Sequence, residues 1–340
     1  MRPFRLAAIL LAAASTVAAA QQSPHYHVAR RIAAGGEGGW DYLIVDTVAH
    51  RLYVSRSTHV QVVDLDAEKL VGDIPNTPGV HGIAIANDLG RGYTSNGRDS
   101  SVTIFDLKTL APLGTARTGQ NPDAILYEPA THRVFAMNGR SGTATAIDGA
   151  TGAVVGTVVL GGRPEFATAD GTGRVFINPE DSSAVVAVDA RTLAVQARWP
   201  LAPCEEPSGM AIDRARGVLF SGCSNKLMAM TDLHTGKQLA TMPIGSGVDA
   251  NAYDPASQFA FSSNGEGTLT LVHEASPTVY HAVGTVTTAP RGRTMALDPR
   301  THRIYIPVAR FGDAPAPTAQ NPRPRPTMVP DSFELLVVEP

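Results

Sequence analysis

The chain has 340 residues, of which 28 are basic and 31 acidic, giving a formal charge of −3. A mildly acidic chain without basic runs lacks the electrostatic footprint of a nucleic-acid binder, so no nucleic-acid partner is expected. Two cysteines exclude a disulfide-dense scaffold, and their surroundings hold neither zinc-ligand spacing nor paired histidines.

Arg2 and Arg5 precede an apolar stretch from Leu6 to Val17, and Ala18-Ala19-Ala20 follows with small side chains. This is the pattern of a cleavable signal peptide over residues 1–20, and it predicts a periplasmic protein. The rival is an uncleaved anchor, but the apolar run is well short of the roughly 20 residues a membrane span needs. Cleavage takes the charge from −3 to −5 by removing two arginines and leaves residues 21–340 as a single domain. In an oxidising compartment the isolated pair Cys204 and Cys223 is expected to form a disulfide.

From residue 25 onward the apolar residues alternate with period two, between clusters of Gly, Pro, Asn and Asp. A unit near forty residues repeats seven times. Its second strand carries Tyr53, Tyr93, Phe135, Phe176, Leu219, Phe261 and Tyr305; its third ends at Asp64, Asp106, Asp148, Asp189, Asp232, His273 and Glu339. Seven units of four antiparallel strands predict an all-β, seven-bladed propeller. The last unit has strands near 294–297, 303–307 and 333–339 but no fourth, whereas His25–Ile32 is a strand without a unit. The N-terminal strand is therefore expected to complete blade seven and close the ring, leaving only short edges and a monomer. The Asp-x-x-Thr pattern after the third strand invites a catalytic reading, but Asp side chains routinely fix tight turns through backbone N–H groups.

The second-strand motifs Tyr53-Val54-Ser55-Arg56, Tyr93-Thr94-Ser95-Asn96, Phe135-Ala136-Met137-Asn138 and Phe261-Ser262-Ser263-Asn264 resemble the YVTN repeat. Over residues 25–340 the chain resembles the YncE-like bacterial β-propeller family. That resemblance implies a fold but no fixed chemistry, since similar propellers include lyases, lactonases and subunits associated with quinone or haem. The DNA-binding role proposed within the family is not carried over, given the acidic balance of this chain.

Counting five residues back from the acidic turn position of each first strand gives Asp41, His81, Asp123, Glu165, Ser208, Asp249 and Arg293. In blade two this requires a one-residue deletion in the turn. The seven positions are expected to ring the axis at the loop face as a ligand-binding funnel. Three places on stand Ile44, Ala84, Leu126, Thr168, Ala211, Ala252 and Ala296, mostly small, as a crowded axis requires. Clustered carboxylates raise one another's pKa unless a cation compensates. Arg293 and His81 would serve, as would a divalent cation such as Ca²⁺ held by Asp123, Glu165 and Asp249. Three readings follow: a water-filled structural channel, a site for a small-molecule or protein ligand, and a metal-assisted lyase or lactonase in which His81 or Glu165 moves a proton.

A second ring is expected from the loops joining second to third strands: Arg56, His59, Asn96, Arg98, Asn138, Arg140, Asn178, Glu180, Asn225, Lys226, Asn264, Glu266 and Arg310. The asparagines there are expected to supply turns, and the arginines to meet an anionic ligand or partner. Residues 311–332 form a proline-rich insertion in blade seven, either a tolerated loop or a lid or docking strand.

Overall fold

The computed structural model describes residues 25–318, 321–322 and 324–340, so the expected signal peptide lies outside the described residues. Among the described residues twenty-eight strands form seven four-stranded antiparallel sheets arranged as the blades of a propeller. Six blades are continuous in sequence. The seventh combines Ala296–Asp298, Arg303–Val308 and Glu334–Glu339 with the N-terminal strand His27–Ala33, which pairs with the last strand from His27↔Glu339 to Ala33↔Glu334. The ring is closed as the unmatched strand required. Among the described residues no helix is long and apolar enough to cross a membrane.

Each blade repeats one cross-strand pair. An aromatic side chain at the third position of the second strand lies opposite a mostly small residue of the first: Ile44↔Tyr53, Ala84↔Tyr93, Leu126↔Phe135, Thr168↔Phe176, Ala211↔Phe220, Ala252↔Phe261 and Ala296↔Tyr305. All seven aromatics are buried. A wedge-shaped blade narrows toward the axis, so the bulky partner belongs on the second strand and the small one on the first. Blade five conforms to this rule. Its aromatic is Phe220, and Leu219, which the sequence pattern had placed there, is one residue out of register. The clusters that hold the ring together lie between blades. Between blades three and four, for example, Phe135 and Met137 pack with Val175, Ile177, Val186 and Val188.

The repeated acids are turn residues. The carboxylates of Asp106, Asp148, Asp189 and Asp232 each accept bonds from the backbone N–H two or three residues on, as does Asp64. Those bonds hold Asp106 and Asp189 below the usual carboxylate range, and the Thr151 hydroxyl, together with them, does the same for Asp148. Cys204 and Cys223 form a disulfide within blade five, pinning the approach to its first strand against the end of its second.

Closure rests on more than the sheet. Tyr26 packs edge-on against Phe261 of blade six, 5.0 Å between centroids, while Ile32 joins the core shared with blade one. Arg56 is fully buried. Its guanidinium donates to the carbonyls of Gly35, Gly36 and Gly38 and to Gln61, and it lies 3.7 Å from the centre of the Phe333 ring. Among the described residues no carboxylate pairs with it, and burial lowers it to about 10. Arg56 is thus a fastener for the segment entering blade one, and does not meet a ligand at the loop face as the sequence had suggested.

Candidate functional site

The first strands run along the axis, and a residue at or just before the loop-face start of each stands at the central mouth. The backbone there is fixed by hydroxyls passing between blades. Ser95 Oγ accepts from Gly82 N and donates to Asp123 O; Thr294 Oγ1 donates to Asp41 O at 2.8 Å; Ser263 Oγ donates to Arg293 O. In blades two and six a second-strand serine therefore sets the ring residue of the next blade.

Six of the seven ring positions converge. His81 Nδ1 lies 2.7 Å from Asp41 Oδ2 and 3.1 Å from Asp123 Oδ1, and Arg293 Nε lies 3.1 Å from Asp249 Oδ2, with Nη2 4.0 Å from Asp41 Oδ1. His81 takes its place without a deletion: Ala86 stands at the turn position of blade two, where a 3-10 turn over Asn87–Leu89 replaces the acid. Ser208 turns away, its hydroxyl donating to Val248 O of blade six at 2.8 Å.

Burial pushes Glu165 up to about 9, reinforced by Asp123 and by a hydrogen bond with Glu180. Burial likewise raises Asp249 to about 7, against the opposing pull of Arg293, and raises Asp123 against that of His81. For His81 and Arg293 burial works against charge, but the carboxylates beside them prevail and hold both above their ordinary values. The mouth thus carries more carboxyl groups than its two cations can balance.

The sequence reading missed the floor of this funnel. One residue beyond the ring positions stand Tyr42, Gly82, Ala124, Phe166, Gly209, Ala250 and Thr294. Only Tyr42 and Phe166 are bulky; they come from blades one and four and meet across the axis, 5.1 Å between centroids. Beneath them a cavity of about 420 Å³ runs to the opposite face, lined by Ile44, Ala84, Thr168 and Ala252 and ending near Arg214 and Tyr253. The carboxylates do not line it, so the aromatic pair separates a charged mouth from a mainly apolar channel. The two large side chains in an otherwise small register were the available signal.

The loop ring divides by role. Asn96, Asn138 and Asn264 are buried, and each amide donates to two Ser or Thr hydroxyls of the third strand. None has a positive φ, so they stitch strands together and do not supply turns. Glu180 belongs to the funnel through Glu165 and is ion-paired on its outer side with Arg163. Arg98, Arg140, Lys226 and Arg310 extend exposed from the face. The insertion begins beside them: Phe311 bridges to Met328 and stacks beneath Arg291, 4.0 Å from its ring centre.

Among the described residues, the three donors that come within metal-ligating range of one another are those of Asp41, His81 and Asp123, all within 4.8 Å. Of the expected set Asp123, Glu165 and Asp249, only Asp123 belongs to that group.

No protein-family model and no curated protein matches the chain. Among solved structures it is similar to a chain of "Crystal Structure of Mitotic Checkpoint Complex", with a TM-score of 0.76 over 99% of each chain at 15% sequence identity. At that identity the likeness establishes the propeller fold alone.

Proposed function

We propose that this chain is an exported binding propeller whose working site is the acidic funnel at the loop face, and that its ligand presents positive charge to that funnel. One observation carries the reading: carboxyl groups from blades one, three, four and six converge on a mouth supplied with two cations, and the excess is buried enough to raise Glu165 and Asp249 far above their ordinary range. Strand geometry asks for no charge at that register, and clustered perturbed groups in a concavity are the usual mark of a binding site. The solved neighbour is a chain of a complex, which agrees with a propeller acting as a binding module and leaves a protein ligand open alongside a small molecule.

The test is a thermal-shift and titration panel of amines and guanidines against carboxylates of matched size. Cationic members should raise the melting temperature of the native protein and lose that effect in Asp123→Asn and Asp249→Asn. Stabilisation by the carboxylates alone, lost in Arg293→Ala, would reverse the sign of the ligand and overturn the reading.

A second reading, metal-assisted lyase or lactonase chemistry, has in its favour the imidazole of His81 between two carboxylates. Turnover of a lactone panel that is lost in His81→Ala would support it.

A further inference from the structure

The inner side of the funnel, where blades one to three meet, holds three unlike donors within 4.8 Å: Asp41, His81 and Asp123. A single imidazole nitrogen faces both carboxylates there, at 2.7 and 3.1 Å. One N–H aims well at one acceptor, so a proton on Nδ1 satisfies one carboxylate and leaves the other short. Asp41 Oδ1 is buried with no hydrogen-bond partner, and Arg293 at 4.0 Å is too far to supply one.

A second observation is independent of the cluster. Tyr42 is 7% exposed, and its hydroxyl is buried without a partner at the floor of the mouth, within electrostatic reach of Asp249, Glu165, Asp41 and Asp123. A phenol hydroxyl in a wholly protein-made site finds a partner when buried. Here the floor and the wall of one pocket each hold an unmet polar atom, and both point to a ligand.

We propose that Asp41, His81 and Asp123 bind one divalent transition-metal ion of the Zn²⁺ class, with a coordination position open toward the funnel mouth. The inference rests on the cationic-ligand reading above and names the cation. The donor set selects it. Ca²⁺ takes six to eight oxygen ligands, whereas an imidazole nitrogen with two carboxylate oxygens suits zinc and its neighbours. Two carboxylates and a neutral imidazole balance the +2 charge, and the ion takes the place of the proton between His81 and its partners. The other carboxyl groups are otherwise engaged, Asp249 with Arg293 and Glu165 with Glu180. Gly97 keeps room for the ring: a Cβ there would stand 2.8 Å from His81 Nε2.

The test uses the full mature chain, stripped with a chelator and desalted, and titrated calorimetrically with ZnCl₂, CoCl₂ and CaCl₂. One Zn²⁺ per chain is expected, with Ca²⁺ at least about 10-fold weaker. Co²⁺ should develop visible d–d absorption of a low-coordinate nitrogen–oxygen site. His81→Ala and Asp123→Asn should each weaken Zn²⁺ at least about 10-fold. Where His81→Ala fails to fold, His81→Gln keeps most of the volume and gives the same readout. Absence of Zn²⁺ uptake overturns the site, as does uptake that both variants leave unchanged, which would be surface histidine binding. In either case, amines that still bind the stripped protein leave the cationic-ligand reading standing, and loss of both sinks the two together.

Discussion

Replacing Glu165 with Gln should stabilise the ligand-free protein, by an amount that grows with pH. The side chain keeps its volume and can still donate to Glu180, but no longer has a proton to lose. In the native fold Glu165 titrates at about 9 against 4.5 for an ordinary glutamate. Its folded pKa is raised, so its contribution to stability is complete below about pH 4.5 and is lost as the pH climbs toward 9. At pH 8 the linkage amounts to at most ~5 kcal/mol, at ~1.4 kcal/mol for each unit of pH above the unfolded value. Glu165 is half-buried beside an open mouth, and water screening leaves ~2 kcal/mol as the expected difference. At ~2 °C for each kcal/mol in a domain of this size, Glu165→Gln should melt about 4 °C higher at pH 8 and no higher at pH 4.5. Melting curves by circular dichroism from pH 4.5 to 9, in chelator, give the result directly. A variant that melts lower at pH 8, or a difference that does not change with pH, would mean that Glu165 is ionised within a structural network with Arg293 and His81, and the funnel would then be scaffold.

Arg56→Lys should cost about 3 kcal/mol, read by denaturant unfolding, because lysine cannot serve the carbonyls of Gly35, Gly36 and Gly38 together and leaves buried acceptors unmet; a loss under about 0.5 kcal/mol would refute its role as fastener. Deleting residues 25–33 should open the ring and broaden the melting transition, whereas excising 314–326 should cost little, since Gly312 N already bonds Thr327 O at 2.9 Å and the described residues between are exposed or half-buried; equal losses would contradict closure by the N-terminal strand. Thiol labelling of the unreduced protein after denaturation should find no free thiol, and Cys204→Ser with Cys223→Ser should lose ~3 kcal/mol for a loop of this length. Two reactive thiols would show that the pair does not form in the native protein.

Repeat length, period-two alternation and the unmatched N-terminal strand determined the seven blades and their closure, because each is a local or additive property that survives without knowledge of neighbours. The ring register was legible for the same reason: a fixed count from a turn places Asp41, His81, Asp123, Glu165, Asp249 and Arg293 at one height. The same count could not separate Leu219 from Phe220, since both are apolar and only the pairing of Ala211 chooses between them. Nor could it say which ring residues bond one another. Ser208 sits at the right height yet donates to Val248, and Arg56 lies on the loop-face strand end yet is swallowed by a segment that arrives from the far side of the closure. The metal-range group likewise shifts from Asp123, Glu165 and Asp249 to Asp41, His81 and Asp123, because Arg293 takes Asp249 and Glu180 takes Glu165. Sequence set the height of each charge on the axis. Apart from Glu180, which shares blade four with Glu165, the partners come from blades some forty residues or more away, and only the ring brings them within hydrogen-bonding distance.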